Sequence, residues 1–238
     1  MNTEVKQLFS KLILSDRKIQ IKLLGDSITH GVGGTGFQQN GEKIVDGFAR
    51  NPDGFCWAKL LKECLELNFD CLVLNNACTG TNIEFIIENF DKLVDENDDI
   101  VLCTIGTNNR HQGFDAGPRH SKEEHMSIFY DNILKLNNKF KSANKDVIFM
   151  ANIPASALNE QDGEGYWRIF HMSDVSMLYQ KAAFKCGFPF INLYAKFNEY
   201  CDLKNIELNS LLADGLHPND EGYRIMFKLI LKEIGIAL

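Results

Sequence analysis

The chain predicts an α/β fold built on an open, doubly wound sheet of about five parallel strands, and three observations carry that prediction. Short apolar segments alternate with helical patterns along its length. Those segments are apolar on consecutive residues rather than on every second one, as strands covered by helices on both faces require. No internal repeat, low-complexity tract or linker interrupts the alternation, so residues 1–238 read as one domain, long enough to bury one substantial core.

The first strand is Ile19–Leu24, and it runs directly into Gly25-Asp26-Ser27. A helix follows with Trp57, Leu60, Leu61, Cys64 and Leu65 in one stripe, then a strand at Cys71–Leu74. Thr81 and Glu84 have the spacing of a capping box, ahead of a helix that turns Ile83, Ile86, Ile87, Phe90 and Val94 inward. Ile100–Ile105 is the third strand. Ser121 with Glu124 repeats the capping signature, ahead of Met126, Phe129, Ile133, Leu136 and Phe140. Val147–Ala151 is the fourth strand. A helix from about Val175 to Cys186 stops at Gly187, a C′ residue. Phe188–Leu193 is the fifth strand, and a last helix begins near Asp220 with Tyr223, Met226, Phe227 and Ile230 inward.

Composition excludes several functions. With 25 Lys+Arg against 32 Asp+Glu the net charge is −7, and no basic patch appears, which argues against nucleic acid or an anionic membrane as partner. The apolar fraction of 45% and charged fraction of 24% are those of a folded globular protein. No apolar stretch is long enough to span a bilayer, and the first residues lack the apolar core and cleavage site of a signal peptide. The expectation is a cytoplasmic, unanchored protein. Seven cysteines, odd in number and without a CxxC pair, read as buried reduced thiols rather than a zinc site or disulfide framework.

In a sheet of this kind ligands bind beyond the carboxyl ends of the strands. Four segments gather there: Gly25-Asp26-Ser27, "NNACTGTN" (75–82), "GTNN" (106–109) and "DGLHP" (214–218), with the loops 31–54 and 106–120 overhanging them. Taken singly, each has a bland reading. Ser27 can cap a helix, Asp214 and His217 can belong to a turn, Asn108 can hold a positive φ, and Gly80 can serve a helix entry. Acyl transfer needs a nucleophile, a base, an orienter of that base and donors for an oxyanion. Ser27, His217, Asp214, and Asn108 with Gly80 supply all of them, so one active site accounts for every strand end at once.

In this order and spacing, from about residue 20 to 225, the four blocks resemble those of the SGNH/GDSL hydrolase superfamily. The resemblance implies a flavodoxin-like three-layer α/β/α sheet and a serine esterase or acylhydrolase working through an acyl-enzyme, with no metal and no cofactor. Carried over by position, Ser27 would be the nucleophile, at once helix cap and attacking hydroxyl. Its own N–H, the Gly80 N–H and the Asn108 amide would form the oxyanion hole. His217 would be the base, Asp214 would orient it, and Asp26 would steady the nucleophile loop. One block departs from the pattern: the family's Gly-x-Asn-Asp reads Gly-Thr-Asn-Asn here, with Asn109 in the place of Asp. An aspartate restored at 109 is expected to be tolerated. "NNACTGTN" also lacks the extra glycine often found in that block, which puts Cys78 near the site as a packed thiol.

Two rivals come from other classes. A flavodoxin-like nucleotide binder would need a phosphate loop after the first strand, where Asp26 places a carboxylate instead. A carbohydrate-binding or scaffold protein with a relic site would not need the complete set of site residues. For the substrate, the overhanging loops carry Gln38, Gln39, Asn40, Glu42, Lys43, Arg110, His111, Gln112, Arg119 and His120. A polar rim of this kind suits a hydroxyl-rich alcohol, and Tyr166 and Trp167 can either stack on a sugar ring or pack in the core. The reading is a carbohydrate O-acetylesterase acting on a small-molecule or glycan ester, with lysophospholipase or thioesterase activity on longer chains as the alternative; the oligomeric state stays open.

Overall fold

In the computed structural model, the described residues are 3–37, 43–45, 48–50, 54–111, 121–160 and 168–236, with 43–45 and 48–50 as backbone only. The apolar runs form β1 (Ile19–Gly25), β4 (Cys71–Asn75), β5 (Ile100–Thr104), β6 (Asp146–Ala151) and β7 (Phe190–Asn192). They lie in one parallel sheet of order β4-β1-β5-β6-β7. The strands β2 (Lys43–Val45) and β3 (Phe48–Arg50) make a separate antiparallel pair.

Side chains alternate between two cores, which is why the strands read as apolar throughout. On β5, Ile100 and Leu102 enter one core, and Val101 and Cys103 the other. The helices α1 (Thr3–Phe9), α4 (Trp57–Asn68), α9 (Leu193–Lys204) and α10 (Asp220–Ile234) close the first core with Val5, Trp57, Phe197 and Met226. The second is closed by α5 (Ile83–Glu88), α6 (Phe90–Leu93), α7 (Lys122–Ser142) and α8 (Met172–Cys186), through Ile83, Phe90, Phe129 and Tyr179. Each fully buried large aliphatic or aromatic side chain contributes about 1.5–3 kcal/mol. The buried polar residue on β1 is Lys22, 3% exposed, whose ammonium lies 3.0 Å from Asp95 and 3.5 Å from Asp98.

Local signals were realised unevenly. The Ser121–Glu124 capping box forms reciprocally, at 3.2 and 2.7 Å, and Gly187 ends α8 with φ +65°. The box expected from Thr81 and Glu84 does not form. Asn82 is the cap, accepting from the Phe85 N–H at 2.9 Å, while the Thr81 hydroxyl donates back to Cys78 O. The single helix expected to reach Val94 breaks at Asn89, which leaves helical geometry (φ −105°, ψ 19°) while its backbone N–H and its side-chain amide both donate to Phe85 O at 3.0 Å. The run Phe188–Leu193 hides a second junction, because Asn192 ends β7 and caps α9 through the Ala195 N–H.

The strand order reverses at β1, with β4 on one side and β5 on the other. Pairings of Leu23 with Asn75 and Gly25 with Thr104 bring three strand ends to one edge. Among the described residues no helix is long and apolar enough to cross a membrane.

Candidate active site

At the end of β1 the backbone passes so close to its neighbours that a Cβ on Gly25 would lie 2.3 Å from Thr29 Oγ1 and 2.8 Å from Thr104 O. Asp26 follows, fully buried, and caps the short helix α3 (Ser27–His30): its Oδ1 accepts from the Ile28 N–H at 3.0 Å. The capping role expected of Ser27 therefore falls to Asp26. Ser27 is instead the first residue of the helix, and its hydroxyl is left to face His217.

The second oxygen of Asp26 accepts from Asn152 Nδ2 at 2.9 Å, and the same amide nitrogen donates to Thr107 Oγ1 at 2.7 Å. One buried asparagine thus ties the end of β6 to the nucleophile loop and to the turn after β5. Burial pushes the Asp26 carboxyl up to about 6, against the hydrogen bonds it accepts.

His217 sits in a turn closed by the Ala213 N–H donating to His217 O at 2.8 Å. The segment 31–37 leans on this turn. Gly33, at φ +92°, brings its backbone so near that a Cβ would meet Pro218 O at 2.5 Å and His217 Cβ at 3.0 Å. The Tyr223 hydroxyl donates to Val32 O at 2.6 Å, and Asp220 accepts from the Thr35 N–H at 2.7 Å, so α10 holds both pieces.

His217 Nε2 lies 2.8 Å from Ser27 Oγ, and His217 Nδ1 lies 2.7 Å from Asp214 Oδ2. The other oxygen of Asp214 accepts from the N–H groups of His217 (2.8 Å) and Leu216 (3.0 Å). Turn cap and imidazole partner, set out as alternatives for Asp214, are the same carboxylate. Partial burial raises its proton affinity, but the hydrogen bonds from the His217 ring, the His217 N–H and the Leu216 N–H outweigh that and hold it well below the usual carboxylate range. An ionised carboxylate at Nδ1 fixes the proton on that nitrogen and leaves Nε2 as an acceptor for the serine hydroxyl.

The loop after β4 is pinned to the same edge. The Cys78 N–H donates to Gly25 O at 3.1 Å, and the His30 ring, buried in α3, donates from Nδ1 to Ala77 O at 3.1 Å. Gly80 has φ +72°, and nothing lies within 4 Å of where its Cβ would be, so its backbone is open to a ligand. Asn108 opens a 3₁₀ turn after β5 and donates from Nδ2 to Thr81 O at 2.8 Å. An amide has two such hydrogens, and that bond uses one. Cys78 is buried, with its Sγ toward Asn76 O, a packed thiol. All seven cysteines are free.

Asn109 works differently from a bracing aspartate. Its Oδ1 accepts from the Ile83 N–H at 3.0 Å, and its Nδ2 donates to Glu84 Oε2 at 2.7 Å, while Glu84 Oε1 accepts from Asn132 Nδ2 at 2.7 Å. An aspartate could keep the first contact but would set a second carboxylate against Glu84. The tolerance expected for aspartate at this position runs against that geometry.

Arg110, expected on the polar rim, is fully buried: it donates to Thr107 O at 3.2 Å and to Glu160 at 2.8 Å. Beside it the backbone of His111 pairs with that of Arg168. Burial, and then the charges of Arg168 and Arg110, push the imidazole of His111 down to about 4. Gln38, Gln39, Asn40, Glu42, Gln112, Arg119, His120, Tyr166 and Trp167 lie outside the described residues, as does the side chain of Lys43. Among the described residues no group of three or more His, Cys, Asp or Glu could hold a metal ion.

Sequence reasoning missed Asn152 and His30, and it assigned Glu84 to a capping box where the structure pairs it with Asn109 and Asn132. The available signal was a polar residue directly after an apolar strand for Asn152; His30 carried none.

Residues 23–225 match the model of the GDSL-like Lipase/Acylhydrolase family. The chain belongs to that family. The match spans all four motif blocks and makes this GDSL protein an ester-cleaving hydrolase. Among solved structures it is similar to the acetylxylan esterase Axe2 from Geobacillus stearothermophilus, with 19% identity, 93% of this chain and 96% of that chain covered, and a TM-score of 0.67. It is also similar to a lipase/acylhydrolase from Enterococcus faecalis, with 22% identity, 91% and 95% covered, and a TM-score of 0.65. These likenesses show a shared three-layer α/β fold. A search of curated proteins finds no match.

Proposed function

We propose that this GDSL hydrolase is a serine esterase that removes short acyl groups, acetyl foremost, from hydroxyl-rich alcohols such as sugars and glycans. The observation that carries the chemistry is the unbroken line from Ser27 Oγ through His217 to Asp214, at 2.8 and 2.7 Å. Ser27 attacks the ester carbonyl while its proton passes to His217 Nε2. The carbonyl π electrons move onto oxygen, where the N–H groups of Ser27 and Gly80 and the second N–H of Asn108 donate to it. Collapse breaks the C–O bond to the alcohol, which leaves with the proton from His217. Water, deprotonated by His217, then attacks the acyl-enzyme, and the acid departs as Ser27 regains its proton. Asp214 stays ionised throughout and supports the imidazolium. Asp26 and Asn109 hold the two loops without touching substrate.

The acetyl and carbohydrate parts of the proposal draw support from Axe2, described as an esterase of acetylxylan and acetyl-xylooligosaccharides. Variants described as its catalytic mutants replace a serine, an aspartate and a histidine, the last two three positions apart, as Asp214 and His217 are. The test is acetate released from acetylated xylo-oligosaccharides, beside p-nitrophenyl esters of increasing chain length. Turnover should be greatest on acetyl esters and absent in Ser27→Ala, which should melt near the wild type because its hydroxyl caps nothing. A preference for long acyl chains would overturn the substrate, and activity persisting in Ser27→Ala would overturn the nucleophile.

A further inference from the structure

The oxyanion donors proposed above, the N–H groups of Ser27 and Gly80 and the amide of Asn108, stand on three separate loops and must converge on one oxygen. Each has an anchor one residue away in the chain: Ser27 follows Asp26, Asn108 follows Thr107, and Gly80 precedes Thr81. Asn108 itself ties the Gly80 loop to the turn after β5, by donating to Thr81 O at 2.8 Å. The pairing of β1 with β5 ends at Gly25 and Thr104, before either Ser27 or Asn108 is reached. Beyond that point Asn152 bridges the two loops. Its Nδ2 donates one hydrogen to Asp26 Oδ2 at 2.9 Å and the other to Thr107 Oγ1 at 2.7 Å.

Asn152, Asp26 and Thr107 are all buried, so the amide acts through its neighbours rather than on substrate. The contacts close on themselves. A hydrogen bond from Thr107 also helps hold the proton affinity of Asp26 down, and Asp26 Oδ1 is fixed by the Ile28 N–H at 3.0 Å. Asn152 Oδ1, by contrast, is buried with no hydrogen-bond partner. An asparagine kept for stability alone is expected to have both amide atoms satisfied; here only the nitrogen, which faces the two loops, is. Turning the amide over would set Oδ1 against the Asp26 carboxylate, so its orientation is fixed.

We infer that Asn152 is a positioning residue of the oxyanion hole, holding the Ser27 N–H and the Asn108 amide at the separation that a tetrahedral intermediate needs. This rests on the donors assigned under the proposed function. The base is held from the same segment by another group: four residues on, the Ser156 N–H donates to Gly215 O at 2.8 Å, between Asp214 and His217. Removing the Asn152 amide should therefore loosen the hole and leave the base in place.

The test is a double-mutant cycle between Asn152→Leu and Asn108→Ala on p-nitrophenyl acetate, at a temperature where melting curves show every variant folded. Asn152→Leu alone should lower kcat by about 10–100-fold with KM little changed. In the Asn108→Ala background it should lower kcat no more than about threefold further, because the hole is already broken. In the Asp214→Asn background, which damages the base instead, the full loss should persist. Thr107→Val removes the acceptor at the other end of the bridge and should reproduce the loss, and Thr107→Ser should restore the rate. Should Asn152→Leu fail to fold, the Thr107 pair carries the same cycle. An equal loss in the wild-type and Asn108→Ala backgrounds, a loss carried by KM, or wild-type kcat in Thr107→Val would overturn the inference. Wild-type kcat in Asn108→Ala alone would instead overturn the donor assignment on which it rests.

Discussion

Replacing Asn109 with aspartate separates two ways of bracing the turn that carries Asn108. The wild-type amide donates to Glu84 at 2.7 Å while its oxygen takes the Ile83 N–H at 3.0 Å. Asn109→Asp forfeits a hydrogen bond to a charged acceptor, about 1.5–3 kcal/mol. It also sets two carboxylates about 4 Å apart or less, a repulsion of roughly 4 kcal/mol at an effective dielectric near 20. Partial exposure screens that figure, and the pair can relieve it by sharing a proton, so a net cost of about 2–4 kcal/mol is expected. For a chain of this length that lowers Tm by roughly 4–16 °C. A turn displaced by as little as about 1 Å should cut kcat by up to ~10²-fold. The pair's shared proton has a raised affinity in the folded state, so the lost stability should return as pH falls and be largest at alkaline pH. Glu84→Gln supplies a donor to the new carboxylate, and the double variant should recover most of both losses. Tm and steady-state kinetics on the two single variants and the double, at pH 5 and 8, form the cycle. Wild-type stability and rate in Asn109→Asp at pH 8, or a double variant no better than the single, would refute the reasoning.

Asn108→Ala should lower kcat by about 10²–10³ with KM little changed, since the donor matters most to the oxyanion; steady-state kinetics on p-nitrophenyl acetate reads this. His217→Ala should be nearly as inactive as Ser27→Ala and the double variant little worse, because the residues act as a unit. Asp26, raised in the fold to about 6, contributes stability at acid pH that is lost as pH rises through that value. Urea unfolding from pH 4 to 8 should show the stability of Asp26→Asn relative to wild type improving by about 2–2.5 kcal/mol across that window, whatever offset its lost hydrogen bond sets. A pH-independent difference would contradict the buried ionised carboxylate.

How much was legible follows from the range over which each feature is decided. β5 could be read from sequence because burial on both faces forces an unbroken apolar run. The Asp214–His217 pair could be read because both residues lie in one turn. Asn152 could not, since its partner Asp26 is 126 positions away and is chosen by packing. Thr81 and Glu84 had the correct spacing for a cap, but Asn82 offered a better-placed acceptor and Glu84 was claimed by Asn109 and Asn132 from other elements. Arg110 looked like surface because a guanidinium usually is; Glu160, fifty positions on, makes its burial affordable.

Ser27 and His217 stand 190 positions apart in the chain, and the turn bearing His217 is held by the segment 31–37 and by α10. Synthesis proceeds from the N-terminus at about 5–20 residues per second, so the serine leaves the ribosome many seconds before its base exists. A nascent chain carries an inert hydroxyl until α10 docks. Ester hydrolysis should therefore appear only once the turn bearing His217 is in place, and in refolding experiments the onset of turnover can serve as a clock for docking of the C-terminal helix.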